Sequence, residues 1–325
     1  MKLNDSQIKS ITKGAVAIFQ NEGYLCFYRF TKEVLDAYSA NGEASRIRSR
    51  ASSGIRFDFY TDAEKISVSY CLFPGSSQSK GAFDFFVDGK LFAHKGENAV
   101  DGVKRGIDVS LPEGKKRLTV YFPTLSETKI TSVELVGETF VEPISEKKTC
   151  VFFGDSITQG YTTEFPSLCY AARVARELDF DFYNFGVGAD KFNTDVLKNT
   201  APEKPEIVFT AYGTNDWCAR SGIHSFKFYI EEYFKALLEK FPSSRIIAIS
   251  PIWREDGCKL TKVGTFEEMV TAYFETVQKF PRIEIVNGLH LLPCTSELYA
   301  DKILHPSDLG FEFYAKNLLK KIEKT

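Results

Sequence analysis

The hydrophobic period of this chain changes once, near residue 148, and that change limits its fold more than any other feature. Before it, apolar and polar residues alternate. Ile55-Arg56-Phe57-Asp58-Phe59-Tyr60 and Lys65-Ile66-Ser67-Val68-Ser69-Tyr70 read in twos, the period of a strand with one face in a core. Ala82-Phe83-Asp84-Phe85-Phe86-Val87 meets Asp88-Gly89, a two-residue hairpin signal, and Lys90-Leu91-Phe92 resumes the strand. Segments 116–122 and 130–135 repeat the pattern. Short alternating strands between Gly, Pro and Ser turns predict an all-β sandwich, a jelly roll, over residues 1–145.

A linker is expected over 137–148, where Pro143 and Glu146-Lys147-Lys148 mark a shift in composition. Beyond it the pattern alternates between strand and helix. Strands are predicted at 150–153, 181–185, 206–212, 245–250 and 283–286, and helices at 167–178, 225–241, 266–280 and 309–322. That alternation implies a parallel sheet covered on both faces. Right-handed crossovers make it doubly wound and flavodoxin-like, over residues 146–325. A chain of 325 residues accommodates both domains.

The charge balance excludes some partners. Lys and Arg number 41 against 43 Asp and Glu, a net charge of −2, so there is no electrostatic footprint for nucleic acid or an anionic membrane. No apolar run approaches the ~20 residues that cross a bilayer, and the N-terminus lacks the apolar core of a signal peptide. Seven cysteines, with no Cys-x-x-Cys, suit buried free thiols in a reducing cytoplasm. No His or Cys cluster has metal-ligand spacing, so neither a metal nor another cofactor is expected.

The first strand of the second half ends in Gly154-Asp155-Ser156. Asp and Ser are common helix N-caps, so a cap is the plain reading. Yet a serine past the end of a buried parallel strand also lies where open α/β sheets place reactive groups. The loops after the next two strands share that edge. One holds Gly186, Gly188, Ala189 and Asp190, with glycines that let backbone approach a ligand. The other is Gly213-Thr214-Asn215-Asp216-Trp217, where Asn215 either donates an amide N–H or closes an Asx-turn.

A serine nucleophile needs a base, and there are four histidines. His94 reads as a surface turn, His224 as part of a helix cap, and His290 as a core residue. His305 precedes Pro306 in a loop entering the last helix, and that loop can reach the edge where Ser156 lies.

Taken in order, these blocks resemble the SGNH (GDSL) hydrolases. Gly154-Asp155-Ser156-Ile157-Thr158 matches the first block, Gly213-Thr214-Asn215-Asp216 the third, and His305-Pro306 with Gly310 the last. The resemblance implies that Ser156 is the nucleophile and His305 the general base. It implies an oxyanion hole made by the Ser156 N–H, a second-block N–H from Gly188 or Ala189, and the Asn215 side chain. Two positions depart from the pattern. Ala189 stands where the second block ends in Gly, and its N–H is expected to serve if its φ is negative. Lys302 stands where the family has Asp, three residues before the histidine, while Asp301 stands four before. Asp301 reaches His305 if the turn is one residue longer; otherwise a backbone carbonyl orients the imidazole.

A sandwich ahead of an SGNH domain resembles the two-domain acetylesterases of carbohydrate esterase family 2. Trp217 and Trp253, the only tryptophans, both follow strand ends. Aromatic faces there suit sugar rings, although either ring can instead plug a core edge. The expected activity is therefore hydrolysis of a small acyl ester, O-acetyl on an oligosaccharide foremost, with no nucleic acid or membrane partner. A lipid or thioester acylhydrolase is the enzymatic alternative. A carbohydrate-binding protein with an inactive hydrolase domain, suggested by Lys302, is the other.

Overall fold

Alternation in the first half becomes two antiparallel sheets. One runs in the order Thr12–Lys13, Arg56–Thr61, Lys116–Tyr121, Ala82–Val87, Lys90–Gly96, and Glu142–Pro143 also pairs with Arg56–Thr61. The other runs Ala17–Asn21, Tyr24–Tyr28, Ser126–Val136, Lys65–Pro74, Arg105–Ser110. Counted from Tyr24–Tyr28, the eight strands ending with Ser126–Val136 lie as 1-8-3-6 in one sheet and 2-7-4-5 in the other. That is the order of a jelly roll. The inward residues of both sheets, among them Phe57, Phe83, Val120 and Phe122, form one core. Asp88 and Gly89 both have positive φ, 48° and 78°, as a type I′ hairpin turn requires.

This computed structural model describes residues 1–137 and 140–323; Glu138 and Thr139 of the expected linker, and the last two residues of the second domain, lie outside the described residues. The chain divides into Met1–Lys147 with Glu164–Ser167, and Lys148–Thr163 with Leu168–Thr325. Residues Glu164–Ser167 were not expected to group with the sandwich. There the buried Asp84 carboxylate accepts from the Ser167 N–H at 2.9 Å. The sandwich also carries three helices that the alternation hid: Asp5–Ile11, Lys32–Ala40 and Glu43–Ser49. Only the first had a local signal, the Asn4/Gln7 capping box.

In the second unit the strands are β1 (Thr149–Gly154), β2 (Asp181–Gly186), β3 (Ile207–Ala211), β4 (Arg245–Ile249) and β5 (Ile283–Val286), all parallel, in the order 2-1-3-4-5. Cys150 to Phe153 of β1 are fully buried, as a strand covered on both faces should be. Phe152 stacks on its neighbour Phe209 at 4.5 Å. The helices are α1 (Ser156–Gln159), α2 (Tyr170–Glu177), α3 (Thr214–Ala219), α4 (Ile223–Lys240), α5 (Phe266–Val277) and α6 (Asp308–Ile322). Helix α4 buries Phe226, Ile230, Tyr233, Phe234 and Leu237, one face of a 3.6-residue period. The strand order reverses between β1 and β3, so the loops after them open a crevice at the carboxyl edge.

Among the described residues, no helix is long and apolar enough to cross a membrane, and no group of three or more His, Cys, Asp or Glu could hold a metal ion. All seven cysteines are free; Cys26, Cys71, Cys150 and Cys169 are buried.

Candidate active site

Ser156 is the first residue of α1, a single turn that begins where β1 ends. Asp155 caps it, its Oδ1 accepting from the Ile157 N–H at 2.9 Å. Burial pushes the Asp155 carboxyl up to about 7, against the pull of that N–H. The turn folds straight back over the strand ends. A side chain at Gly154 would meet Thr158 Oγ1 at 2.0 Å, and one at Gly186 would meet the Gln159 nitrogen at 2.3 Å. Those two glycines are what let α1 sit there.

The Ser156 hydroxyl is 8% exposed at the residue level and lies 2.9 Å from His305 Nε2. His305 Nδ1 lies 2.6 Å from Asp301 Oδ2. The three side chains form one hydrogen-bonded chain in the order that acyl transfer by a serine requires. The extra residue between Asp301 and His305 is absorbed at Lys302, whose φ is +61°. Asp301 Oδ1 accepts the N–H groups of Ile303, Leu304 and His305 at 3.0, 2.8 and 3.0 Å, closing the lengthened turn on itself. Burial alone would raise the Asp301 carboxyl; these N–H groups and the imidazole outweigh it and hold it at about 2. Burial lowers the His305 pKa below its usual value, with Arg254 acting the same way and Asp301 opposing.

The second-block loop closes a turn in which the Asp190 N–H reaches the Val187 carbonyl at 3.0 Å. Two expectations change here. The Gly188 N–H is engaged by Gln159 Oε1 at 2.7 Å, so its single hydrogen is not available to a ligand. Ala189 has φ +65°, not the expected negative value, and is exposed. A residue with positive φ at the third position makes this a type II turn, at a cost for Ala of about 1 kcal/mol. Asn215 Nδ2 donates to the Asp190 carbonyl at 3.0 Å, which leaves its second amide hydrogen for the crevice.

Trp217 does not line the crevice. It is 1% exposed, its indole N–H donates to the Gly264 carbonyl at 2.9 Å, and the Arg254 guanidinium lies 4.8 Å from its ring centroid. The core-edge role applies, because α3 buries Trp217 together with Thr214 and Asp216. Trp253 is half-buried and packs on Tyr299 at 5.4 Å, beside the loop that carries His305. Of the other histidines, His290 is exposed in a 3-10 turn rather than in a core. His94 is on a strand, its Nδ1 2.7 Å from Asp84, rather than in a turn. His224 is the second residue of α4.

Several neighbours of the site left no trace in the motif reading. Asn184, buried in β2, donates to the Thr158 carbonyl at 2.7 Å and accepts from the Gly186 N–H at 2.9 Å. A polar residue inside an apolar strand was its only signal. The Tyr161 ring lies 4.6 Å from the imidazole of His305, and Thr162 Oγ1 lies 2.9 Å from the Pro306 carbonyl oxygen. Arg254 donates to Thr214 Oγ1 at 3.0 Å and pairs with Asp256.

The fold recurs in solved structures. A salicylyl-acyltransferase, SsfX3, from a tetracycline biosynthetic pathway is 22% identical with a TM-score of 0.83, covering 96% of this chain and 94% of its own. A family two carbohydrate esterase from Cellvibrio japonicus is 14% identical with a TM-score of 0.68, covering 100% and 96%. Another from Clostridium thermocellum, in complex with cellohexaose, is 17% identical with a TM-score of 0.63, covering 84% and 93%. These likenesses extend over both the jelly roll and the parallel sheet. No curated protein sequence matches the chain. The GDSL-like Lipase/Acylhydrolase family matches residues 152–313. That match spans the blocks of Ser156, Asn215 and His305, and with it the chain belongs, over this stretch, to the GDSL-like lipase/acylhydrolases, the SGNH hydrolases.

Proposed function

We propose that this protein is a serine esterase that removes small acyl groups, O-acetyl above all, from oligosaccharides. The observation that carries the reading is the chain from Ser156 Oγ to His305 Nε2 at 2.9 Å and from Nδ1 to Asp301 at 2.6 Å. Ser156 Oγ attacks the ester carbonyl carbon while His305 Nε2 takes its proton. The carbonyl oxygen becomes an oxyanion facing the Ser156 N–H, the Ala189 N–H and the free hydrogen of Asn215 Nδ2. Collapse breaks the ester bond, and the sugar hydroxyl leaves with the proton from His305. Water, deprotonated by the same imidazole, then attacks the acyl-enzyme and releases the acid. Asp301 keeps Nδ1 protonated and stabilises the imidazolium formed in each half.

The oligosaccharide part is supported by less. The two-domain arrangement is similar to that of the family two carbohydrate esterases, one of which binds cellohexaose. Half-buried Trp253 beside the His305 loop suits a sugar face. The test is release of acetate from acetylated oligosaccharides, run beside a chromogenic acetate ester and with Ser156→Ala as control. Acetate release from both substrates, lost in the variant, supports the reading. Turnover of the small ester alone, preference for long acyl chains, or transfer of the acyl group to an added alcohol in place of water overturns the substrate assignment. No turnover of any ester overturns the enzyme assignment.

A further inference from the structure

Three consecutive residues in the loop after β4 each grip a different neighbour of the site. The Trp253 ring packs on Tyr299 at 5.4 Å. The Arg254 guanidinium lies against α3, the helix that carries Asn215. The Glu255 N–H donates to the Ile303 carbonyl at 2.9 Å, and the Ile303 N–H is one of those that Asp301 accepts.

Arg254 is 8% exposed, and its contacts fall on one stripe of α3. Nη1 donates to Thr214 Oγ1 at 3.0 Å and lies 3.4 Å from the Thr214 carbonyl and 3.9 Å from Cys218 Sγ. The guanidinium carbon lies 4.8 Å from the Trp217 ring centroid. Residues 214, 217 and 218 are spaced i, i+3, i+4, so they share one helix face. The other edge of the guanidinium, Nε and Nη2, is bidentate on Asp256 of its own loop. A buried ion pair is poor evidence of a stability role, because apolar residues of similar volume often replace one without loss. An apolar residue here could not bind Thr214 and Asp256 at the same time, as the planar fork does.

Other side chains also hold α3. Asp216 accepts the Phe192 N–H at 3.3 Å, Arg220 donates to the Phe192 carbonyl at 2.6 Å, and the Trp217 indole donates to the Gly264 carbonyl at 2.9 Å. Those bonds tie the helix to residues 192 and 264. Arg254 and the peptide after it run instead from the helix to the turn before His305.

We propose that Arg254 is a positioning residue that fixes the helix carrying Asn215 against the loop carrying His305. The role rests on the serine esterase reading above. The same guanidinium bears on the imidazole. The charged and titratable groups set against His305 are Asp301 from its own turn, Tyr161 from the segment after α1, and Arg254 from the loop after β4. Burial lowers the His305 pKa most, Asp301 raises it, and the Arg254 charge lowers it. Loss of that charge should therefore raise it.

The test uses the full chain and a chromogenic acetate ester. Arg254→Lys keeps the charge, but a single ammonium cannot make the fork. It should lower kcat about tenfold with KM little changed and the acid limb of kcat/KM near that of the parent. Arg254→Met removes fork and charge. It should lower kcat about 10- to 100-fold and move the acid limb to higher pH. Because Arg254 acts partly through Asn215, the Lys substitution should cost only about threefold once Asn215 is already Ala.

Parental kcat in an Arg254→Lys variant that melts like the parent would overturn the proposal. So would an equal loss from that substitution with and without Asn215, or an acid limb in a folded Arg254→Met variant that does not move upward. If Arg254→Met does not fold, the Lys variant and its pairing with Asn215→Ala decide. If the parent turns over no ester, the enzymatic reading falls instead, which separates the two failures.

Discussion

The two segments that bring Ser156 and His305 together are built differently. Every residue from Gly154 to Gly160 is buried, and the segment is wedged over the ends of β1 and β2. Asp301, Lys302 and Ile303 are exposed, and their loop closes through the Asp301 carboxylate. Ser156 is therefore located by the sheet. His305 is located by one side chain, Asp301, which shapes the loop with one oxygen and holds the imidazole with the other. A change on the first side should cost chemistry at constant fold. A change on the second can cost chemistry, loop structure or both, and the replacement chosen decides which.

The largest effect is expected at Ser156. Ser156→Ala removes one oxygen from a site defined by its backbone, so kcat should fall by about 10⁴-fold or more with the melting temperature unchanged. Activity within about tenfold of the parent, measured on the chromogenic ester, would end the nucleophile assignment.

Asp301 gives the sharpest comparison. In Asp301→Asn the side-chain oxygen can still accept the three loop N–H groups. Its amide then faces His305 Nδ1 with a donor. The imidazole must turn Nδ1 into an acceptor, which puts the proton on Nε2, where it cannot accept one from Ser156. The expected loss is about 10³- to 10⁴-fold in kcat with stability kept. Asp301→Ala should show a comparable loss and also a lower melting temperature, because the turn loses its acceptor.

The same residue governs the pH profile. His305 must be neutral to act as a base, and burial lowers its pKa below 6.5, so kcat/KM should fall only below pH 6.5. The Asp301 carboxylate raises that pKa, while Arg254, the other charged group acting on it, lowers it. Removing the carboxylate should move the acid limb to still lower pH. A limb that moves upward in Asp301→Asn would contradict this account of the imidazole.

Asn215 belongs to the nucleophile side and comes next in size. Asn215→Ala should lower kcat about 10²- to 10³-fold with KM little changed, the range for one oxyanion donor. A pure KM effect would place Asn215 in ground-state binding instead.

What the sequence made legible follows the same division. The strand, the Gly154-Asp155-Ser156 break and the doubly wound order were readable, because buried parallel strands are continuous apolar runs and their ends share one edge. The jelly roll was readable from its period of two. Its three short helices were not, since a single amphipathic turn or two amid alternating strands carries little periodic signal. At the site, spacing alone left Asp301 undecided between a carboxylate and a carbonyl as the partner of His305. The outcome depended on Lys302 taking φ +61°, a backbone choice that composition does not encode. Ala189 was misread for the same reason. Its negative φ was a sound default for alanine, and a tertiary contact from Gln159 lies against the turn that departs from it. Trp217 and Trp253 looked alike because both follow strand ends. The helix that begins before Trp217 carries its ring into the core, while Trp253 stays in a loop.

The smallest expected effect tests the exposed side of the comparison. Trp253 packs on Tyr299, and Tyr299 pairs through its backbone with Pro306, next to His305. The ring therefore touches the segment that carries His305 and still keeps part of its surface in solvent. If that surface receives a sugar, Trp253→Ala should lower kcat/KM on acetylated oligosaccharides by about tenfold, the scale of ~1.4 kcal/mol for a stacking contact. Hydrolysis of the small acetate ester should change by less than about threefold, because the Ser156–His305–Asp301 chain is not touched. Equal losses on both substrates, with an altered acid limb, would mean that Trp253 supports the His305 loop and contacts no sugar. A loss confined to the oligosaccharide would make the base segment part of substrate recognition as well as chemistry. The segment from Gly154 to Gly160, buried along its whole length, presents no comparable surface.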